Sequence, residues 1–306
     1  MTPIRWALRG LQAVAPTAAA QVAEWLFFTP PRPRRDIPEP LRQLLATGRR
    51  FELKVERRRV VGWQWGRGPA VYLVHGWGSS GVRLAGLVPP LVEAGCSVIA
   101  FDAPGHGVSG RGMSSIPEFA RTLAAIVERE GPAHAVIAHS LGAAATALAV
   151  SWGLIVRRLV FLAPPADPTA WVKAFARTLD LRADVVARMQ ARSERRLRLH
   201  WSDLNVPRAA AAMTVPLLVA HDEDDDKVAW RDGAAIAAAW PGARLLTTRG
   251  LGHSGVVLAP EVMRDVVAFA TERTPAPLWS DEAGRLDCEL FHRELRWAQL
   301  DLAAQR

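Results

Sequence analysis

The chain has 306 residues, with 38 Lys and Arg against 30 Asp and Glu, a formal charge of +8, and half of its residues hydrophobic. That balance excludes intrinsic disorder and fits one large or two modest domains with a sizeable core. Cys96 and Cys288 are too few for a disulfide framework, so a reducing cytoplasm is the expected setting. Lysine occurs only at Lys54, Lys173 and Lys227, and the arginines are scattered along the chain rather than gathered in one stripe. No nucleic-acid partner is expected from that distribution.

From Trp6 to Phe28 an apolar, alanine-rich stretch follows Arg5 and Arg9. It partly imitates a signal peptide, but Gln12, Pro16, Gln21 and Glu24 break it up, and no stretch in the chain reaches the roughly 18 apolar residues of a membrane span. We read an amphipathic helix lying on the protein or, as the alternative, on a membrane surface. Residues Thr29 to Pro40 hold five prolines and read as an extended linker. Alternation over Phe51 to Val55 and Arg59 to Trp65 predicts an antiparallel hairpin at a sheet edge.

From Ala70 onward, short continuous apolar runs alternate with helical patterns. Strands are expected at 70–74, 97–101, 133–138, 159–162, 216–220 and 243–247, and helices at 82–94, 116–130, 140–152, 230–239 and 260–271. Continuous hydrophobicity means strands covered on both faces, hence a mostly parallel sheet flanked by helices. The 163–215 stretch has no good strand, and Trp171, Phe175 and Leu179 recur every fourth residue, as do Val185 and Met189. A helical cap is expected there. After Thr274 to Pro277, Ser280 can cap a further helix carrying Leu286, Leu290 and Trp297. The expected organisation is an N-terminal helix and linker (1–50), a core (51–166 and 216–273), a cap (167–215) and a C-terminal helical extension (274–306).

Three places carry chemistry. Ala138-His139-Ser140-Leu141-Gly142 turns a buried strand directly into an alanine-rich helix, which strains the residue at the apex. Ser140 there either caps the helix or presents a nucleophilic hydroxyl beside a helix N-terminus that favours developing negative charge. His75-Gly76-Trp77-Gly78 is either an ordinary glycine turn or one that aims a backbone amide at a ligand. The amides of Trp77 and Leu141 would then form an oxyanion hole. A serine nucleophile needs a base and an orienting carboxylate. The loop from His221 to Asp226 and the loop ending in Gly252-His253 both follow strands and offer them, in the order Ser, Asp, His. No histidine, cysteine or carboxylate spacing fits a zinc site.

HGWGSS (75–80), FDAPGHGVSG (101–110), AHSLG (138–142), LLVAHDEDDDKV (217–228) and the stretch from Gly250 to Leu258 together resemble the α/β-hydrolase superfamily over roughly residues 51–271. The resemblance implies the α/β-hydrolase fold, a mostly parallel sheet of about eight strands with a helical cap after the sixth. It implies Ser140 as nucleophile, His253 as base and Asp225, four positions beyond His221, as the acid. It leaves Asp222, Glu223, Asp224 and Asp226 as caps or solvent-facing groups, and His75, His106 and His139 as structural. Ala138 departs from the glycine most common at that position.

Members of the superfamily that open epoxides or remove halides use aspartate at the apex, so serine implies acyl transfer. The expected activity is cleavage of a carboxylic ester or thioester through an acyl-serine, with no cofactor. Trp77, Trp171, Phe175 and Met189 are the expected pocket residues. Six arginines between Arg182 and Arg198 either attract an anionic substrate or form a solvated face. Aminopeptidase, lactonase, C–C hydrolase and cofactor-free haloperoxidase chemistry share this pattern, and a noncatalytic interaction protein on the same scaffold is the alternative from another class.

Overall fold

A computed structural model describes residues 3–31 and 37–271. The expected C-terminal helix carrying Leu286, Leu290 and Trp297 lies outside the described residues, as does Cys288. In chain order the elements begin with α1 (Pro3–Val14), α2 (Pro16–Phe28), α3 (Glu39–Thr47), β1 (Arg49–Val55), β2 (Arg58–Trp65) and β3 (Ala70–Val74). A 3-10 turn (Gly81–Leu87), α4 (Val88–Glu93), β4 (Ser97–Asp102), α5 (Ile116–Glu130), β5 (Ala133–His139), α6 (Leu141–Ser151) and β6 (Val156–Leu162) follow. Next come α7 (Ala170–Leu179), α8 (Ala183–Leu197), a 3-10 turn (Trp201–Leu204), α9 (Val206–Ala210) and β7 (Leu217–Asp222). The described chain ends with α10 (Trp230–Ala239), β8 (Arg244–Thr248), α11 (Gly252–Gly255) and α12 (Pro260–Ala270).

The eight strands form one sheet in the order β1-β2-β4-β3-β5-β6-β7-β8. β1–β2 and β2–β4 pair antiparallel and every other neighbour is parallel. The hairpin therefore sits at the edge, as its alternation predicts. In the parallel strands, successive residues enter opposite cores because side chains alternate across a pleated sheet. Tyr72, Ile99, Val136 and Phe161 join α5, α6, α9 and α10 on one face. Val71, Leu73, Val98, Ile137 and Val160 join α3, α4 and α12 on the other. With both faces covered, each fully buried Val, Leu, Ile or Phe contributes about 1.5–3 kcal/mol.

Three expectations shift. The N-terminal segment is two helices, because Ala15 leaves helical geometry (φ −144°, ψ 69°) and Pro16 restarts the helix where its missing N–H costs nothing. The linker is shorter, since Pro40 stands in the first turn of α3. Residues 81–93 break into a 3-10 turn and a short α4, because Pro89 and Pro90 are tolerated only in a first turn.

The insertion between β6 and β7 is helical, as expected, and α1 and α2 pack on it. Ala19, Ala20 and Ala23 of α2 are small enough to let Val185 and Met189 of α8 approach closely. Two of the polar residues that interrupt the apolar N-terminal stretch, Gln12 and Glu24, are the ones that fasten it. Glu24 is 3% exposed and pairs with Arg192 at 2.6 Å and Arg196 at 2.8 Å. Gln12 donates to the Asp180 carbonyl and accepts from the Arg182 amide, both at 2.9 Å. The N-terminal helices thus lie on the protein, and no helix among the described residues is long and apolar enough to cross a membrane.

Candidate active site

The sheet order places β3 between β4 and β5, so chains leaving the carboxyl ends of neighbouring strands diverge and open a crevice. Four of the five sequence motifs contribute residues to it, from the turns after β3, β5, β7 and β8. A cavity of about 660 Å³ occupies the crevice, lined by Gly76, Trp77, His139, Ser140, Leu141 and His253 among others.

Ser140 stands between β5 and α6 with φ 53° and ψ −126°, a positive-φ conformation that costs a non-glycine residue roughly 1–3 kcal/mol. Close packing holds it there. A Cβ on Gly142 would lie 2.5 Å from the His75 carbonyl oxygen, and one on Gly76 would lie 3.0 Å from the Ser140 Cβ. Ala138, the departure noted in the sequence, is fully buried in the core between Val74 and Phe161 of the neighbouring strands. The Ser140 hydroxyl makes no capping bond to α6, so the capping alternative does not hold. Leu141 opens α6, which makes its N–H one of the amides a helix leaves without an internal partner.

Asp225 and His253 arrive on the loops after β7 and β8. His253 Nδ1 lies 2.7 Å from Asp225 Oδ2. A carboxylate only accepts, so Nδ1 carries the proton and Nε2 of the neutral ring is left as a proton acceptor. The Asp225 side chain is fully buried. Burial alone would raise its pKa, but hydrogen bonds from His221 and His253, the His253 charge and the Val228 amide outweigh it and hold the carboxyl well below its usual range. Its other oxygen accepts from the Lys227 and Val228 amides, each at 2.9 Å.

Several residues hold this pair in ways that the sequence pattern does not reveal. Asp222, grouped there with caps and solvent-facing carboxylates, is buried and accepts from the amides of Asp224, Leu251 and Gly252 and the hydroxyl of Thr248. It thereby ties the Asp225 loop to the His253 loop. His221 Nε2 reaches both the Val228 carbonyl (2.9 Å) and Asp225 (3.3 Å). His139 Nε2 lies 3.0 Å from the His253 carbonyl. Burial, then the charges of His253 and Arg83, push the His139 pKa well down, so the neutral ring donates from Nε2. A polar residue at the end of a buried strand is the only sequence signal for Asp222.

The turn after β3 is braced in the same manner. The Ala103 amide donates to His75 Nε2 (3.0 Å), which leaves Nδ1 to donate to the Gly76 carbonyl (2.7 Å). Burial lowers the His75 pKa to about 4. The His106 ring packs edge-on beneath Trp77 at 5.2 Å. His106 Nδ1 in turn lies 3.0 Å from the Pro104 carbonyl, so each ring is tied to its own turn.

Of the four expected pocket residues, Trp77 and Trp171 line the cavity and the other two do not. Phe175 turns its ring toward Phe27 at 5.2 Å, and Met189 is completely buried between α8 and α2. They face the N-terminal helices, which no sequence pattern brings to this part of the molecule. Phe27, Phe28, Val172, Leu197 and Trp201 supply apolar wall in their stead.

An alpha/beta hydrolase family model matches residues 71–269, and the chain belongs to that family. Solved structures agree in fold. The bromoperoxidase from Bacillus anthracis superimposes with a TM-score of 0.56 at 19% identity, covering 72% of this chain and 99% of its own. The esterase RhEst1 from Rhodococcus sp. ECU1013 gives 0.56 at 17% identity, covering 74% and 100%. Est816, described as an N-acyl homoserine lactone degrading enzyme, gives 0.56 at 18% identity, covering 71% and 98%. No curated protein matches the chain.

Proposed function

We propose that the protein is a serine hydrolase that cleaves a carboxylic ester or thioester. The observation that carries this reading is the convergence of a strained Ser140 and the 2.7 Å His253–Asp225 pair on one largely apolar cavity. His253 Nε2 takes the Ser140 proton as Oγ attacks the carbonyl carbon, and the amides of Trp77 and Leu141 hold the oxyanion. His253 returns the proton to the leaving alcohol or thiol, which departs as the acyl-serine forms. Water, activated by the same ring, then releases the carboxylic acid and restores the serine. None of these steps requires a cofactor. Asp225 keeps the His253 tautomer and stabilises the ring while it is charged.

In this reading residues 167–215 act as the cap, and α1 and α2 complete it. Trp171 and Trp201 from the insertion and Phe27 and Phe28 from α2 support an apolar substrate tail. A small-molecule substrate and a cytoplasmic setting belong to the same proposal. Native protein should be labelled at Ser140 by a fluorophosphonate probe and should hydrolyse p-nitrophenyl esters with a rate that depends on acyl length. Equal labelling of Ser140→Ala, or negligible rates across all lengths, refutes it.

A further inference from the structure

The cavity has no acidic lining residue among those described, yet it contains two cations, Arg83 and the exposed Lys227. Arg83 sits on the 3-10 turn Gly81–Leu87 and donates to the hydroxyl of Ser254, the residue next to His253. That bond occupies one of five guanidinium donors. The nearby carboxylates are committed elsewhere. Asp102 accepts from the Gly81 and Val108 amides, and Asp225 serves His253 and the amides of Lys227 and Val228. Burial lowers the Arg83 pKa to about 10, with no anion among the described residues offsetting it, and the side chain is still a cation at neutral pH.

A partly buried cation without a counter-charge is costly unless something anionic arrives to pair with it. The arginine-rich stretch from Arg182 to Arg198, one of the two uses considered for it in the sequence, does not serve this purpose. Arg192 and Arg196 are spent on Glu24, Arg182 pairs with Asp184, and none of the six lines the cavity.

We propose that Arg83 binds a carboxylate on the substrate, so that the preferred esters or thioesters carry an anionic group together with an apolar portion that lies along Phe27, Trp171 and Trp201. This deepens the hydrolase reading and rests on it. The planar fork of arginine matches a carboxylate with two parallel hydrogen bonds, which gives orientation as well as attraction.

Two matched substrate pairs test the assignment. One is mono-p-nitrophenyl suberate against its methyl-capped form, with the carboxylate on the acyl side. The other is 4-carboxyphenyl octanoate against its methyl ester, with the carboxylate on the leaving group. In at least one pair the anionic-to-neutral ratio of kcat/KM should fall tenfold or more in Arg83→Gln, while Arg83→Lys keeps it within threefold of wild type. An unchanged ratio in both pairs overturns the proposal.

Calorimetric titration of Ser140→Ala with octanoate, with and without Arg83→Gln, separates this result from the hydrolase reading. Binding at least tenfold weaker without Arg83 supports the anion site even if no ester is turned over, in which case only the hydrolase reading falls. Turnover of esters together with octanoate binding that ignores Arg83 removes the anion site and leaves the hydrolase reading standing.

Discussion

The carboxyl edge of the sheet and the helical layer above it meet at the same cavity but are held by different physics. At the edge, buried polar atoms are matched one by one: Asp222 has four donors, Asp225 has two amides and two imidazoles, and His75 bridges two turns. In the helical layer the contacts are mainly apolar and shape-based, with alanines of α2 against Val185 and Met189 and one buried carboxylate clamped by two arginines. Directional bonds fix atoms to within tenths of an ångström, whereas apolar packing tolerates small slides. The edge holds polar atoms in a fixed geometry, and the layer sets the outline of the cavity.

That contrast can be broken at its strongest point first. Asp225→Asn should lower kcat by about 10⁴-fold through the wrong His253 tautomer, with a much smaller effect on KM. Steady-state rates on a p-nitrophenyl ester check it, and a drop below tenfold would show that Asp225 does not orient His253.

The second effect concerns the buried, neutral histidines of the edge. His75 is pushed down to about 4 by burial, so below pH 6.5 the unfolded chain takes up a proton that the folded chain refuses. Its contribution, about 3 kcal/mol, is complete above pH 6.5 and is lost as pH falls toward 4. Asp225, whose pKa is depressed, keeps its contribution throughout that window and loses it only in stronger acid. Urea midpoints should therefore decline between pH 6.5 and 4, and a level profile contradicts the assignment.

The smallest effect lies in the layer. Glu24→Ala removes a buried acceptor but leaves Arg192 and Arg196 in reach of water, at 49% and 29% side-chain exposure. A loss of about 2 kcal/mol is expected. Because Phe27 and Phe28 line the cavity from the same helix, KM for long acyl chains should rise more than kcat falls. Denaturant titration and chain-length kinetics test both parts. A larger change in kcat than in KM would erase the distinction between edge and layer.

Much of the edge is legible in the amino-acid sequence. Uninterrupted apolar runs such as Val71 to Val74 and Val136 to Ala138 follow from burial on both sheet faces, and a serine between such a run and an alanine-rich helix marks the apex. Placing Asp225 among five neighbouring acidic residues requires the family resemblance, because a run of carboxylates carries no internal mark of which one meets a histidine 28 residues later. The choice of Phe175 and Met189 as pocket residues fails for a related reason. Spacing of four marks the apolar face of a helix but not what covers that face, and here α2 covers it.

The chain alone therefore determined the strands and the longer helices between them, since hydrophobic period, proline position and glycine turns act over a few residues. It also determined which serine is strained, because the strand-to-helix turn is local. Tertiary structure decided that α1 and α2 fold back 170 residues along the chain to α7 and α8, that Asp222 joins two loops, and that Arg83 enters the cavity without an acidic partner among the described lining residues. Those outcomes depend on which surfaces meet, and contact between distant segments leaves no periodic trace in either of them.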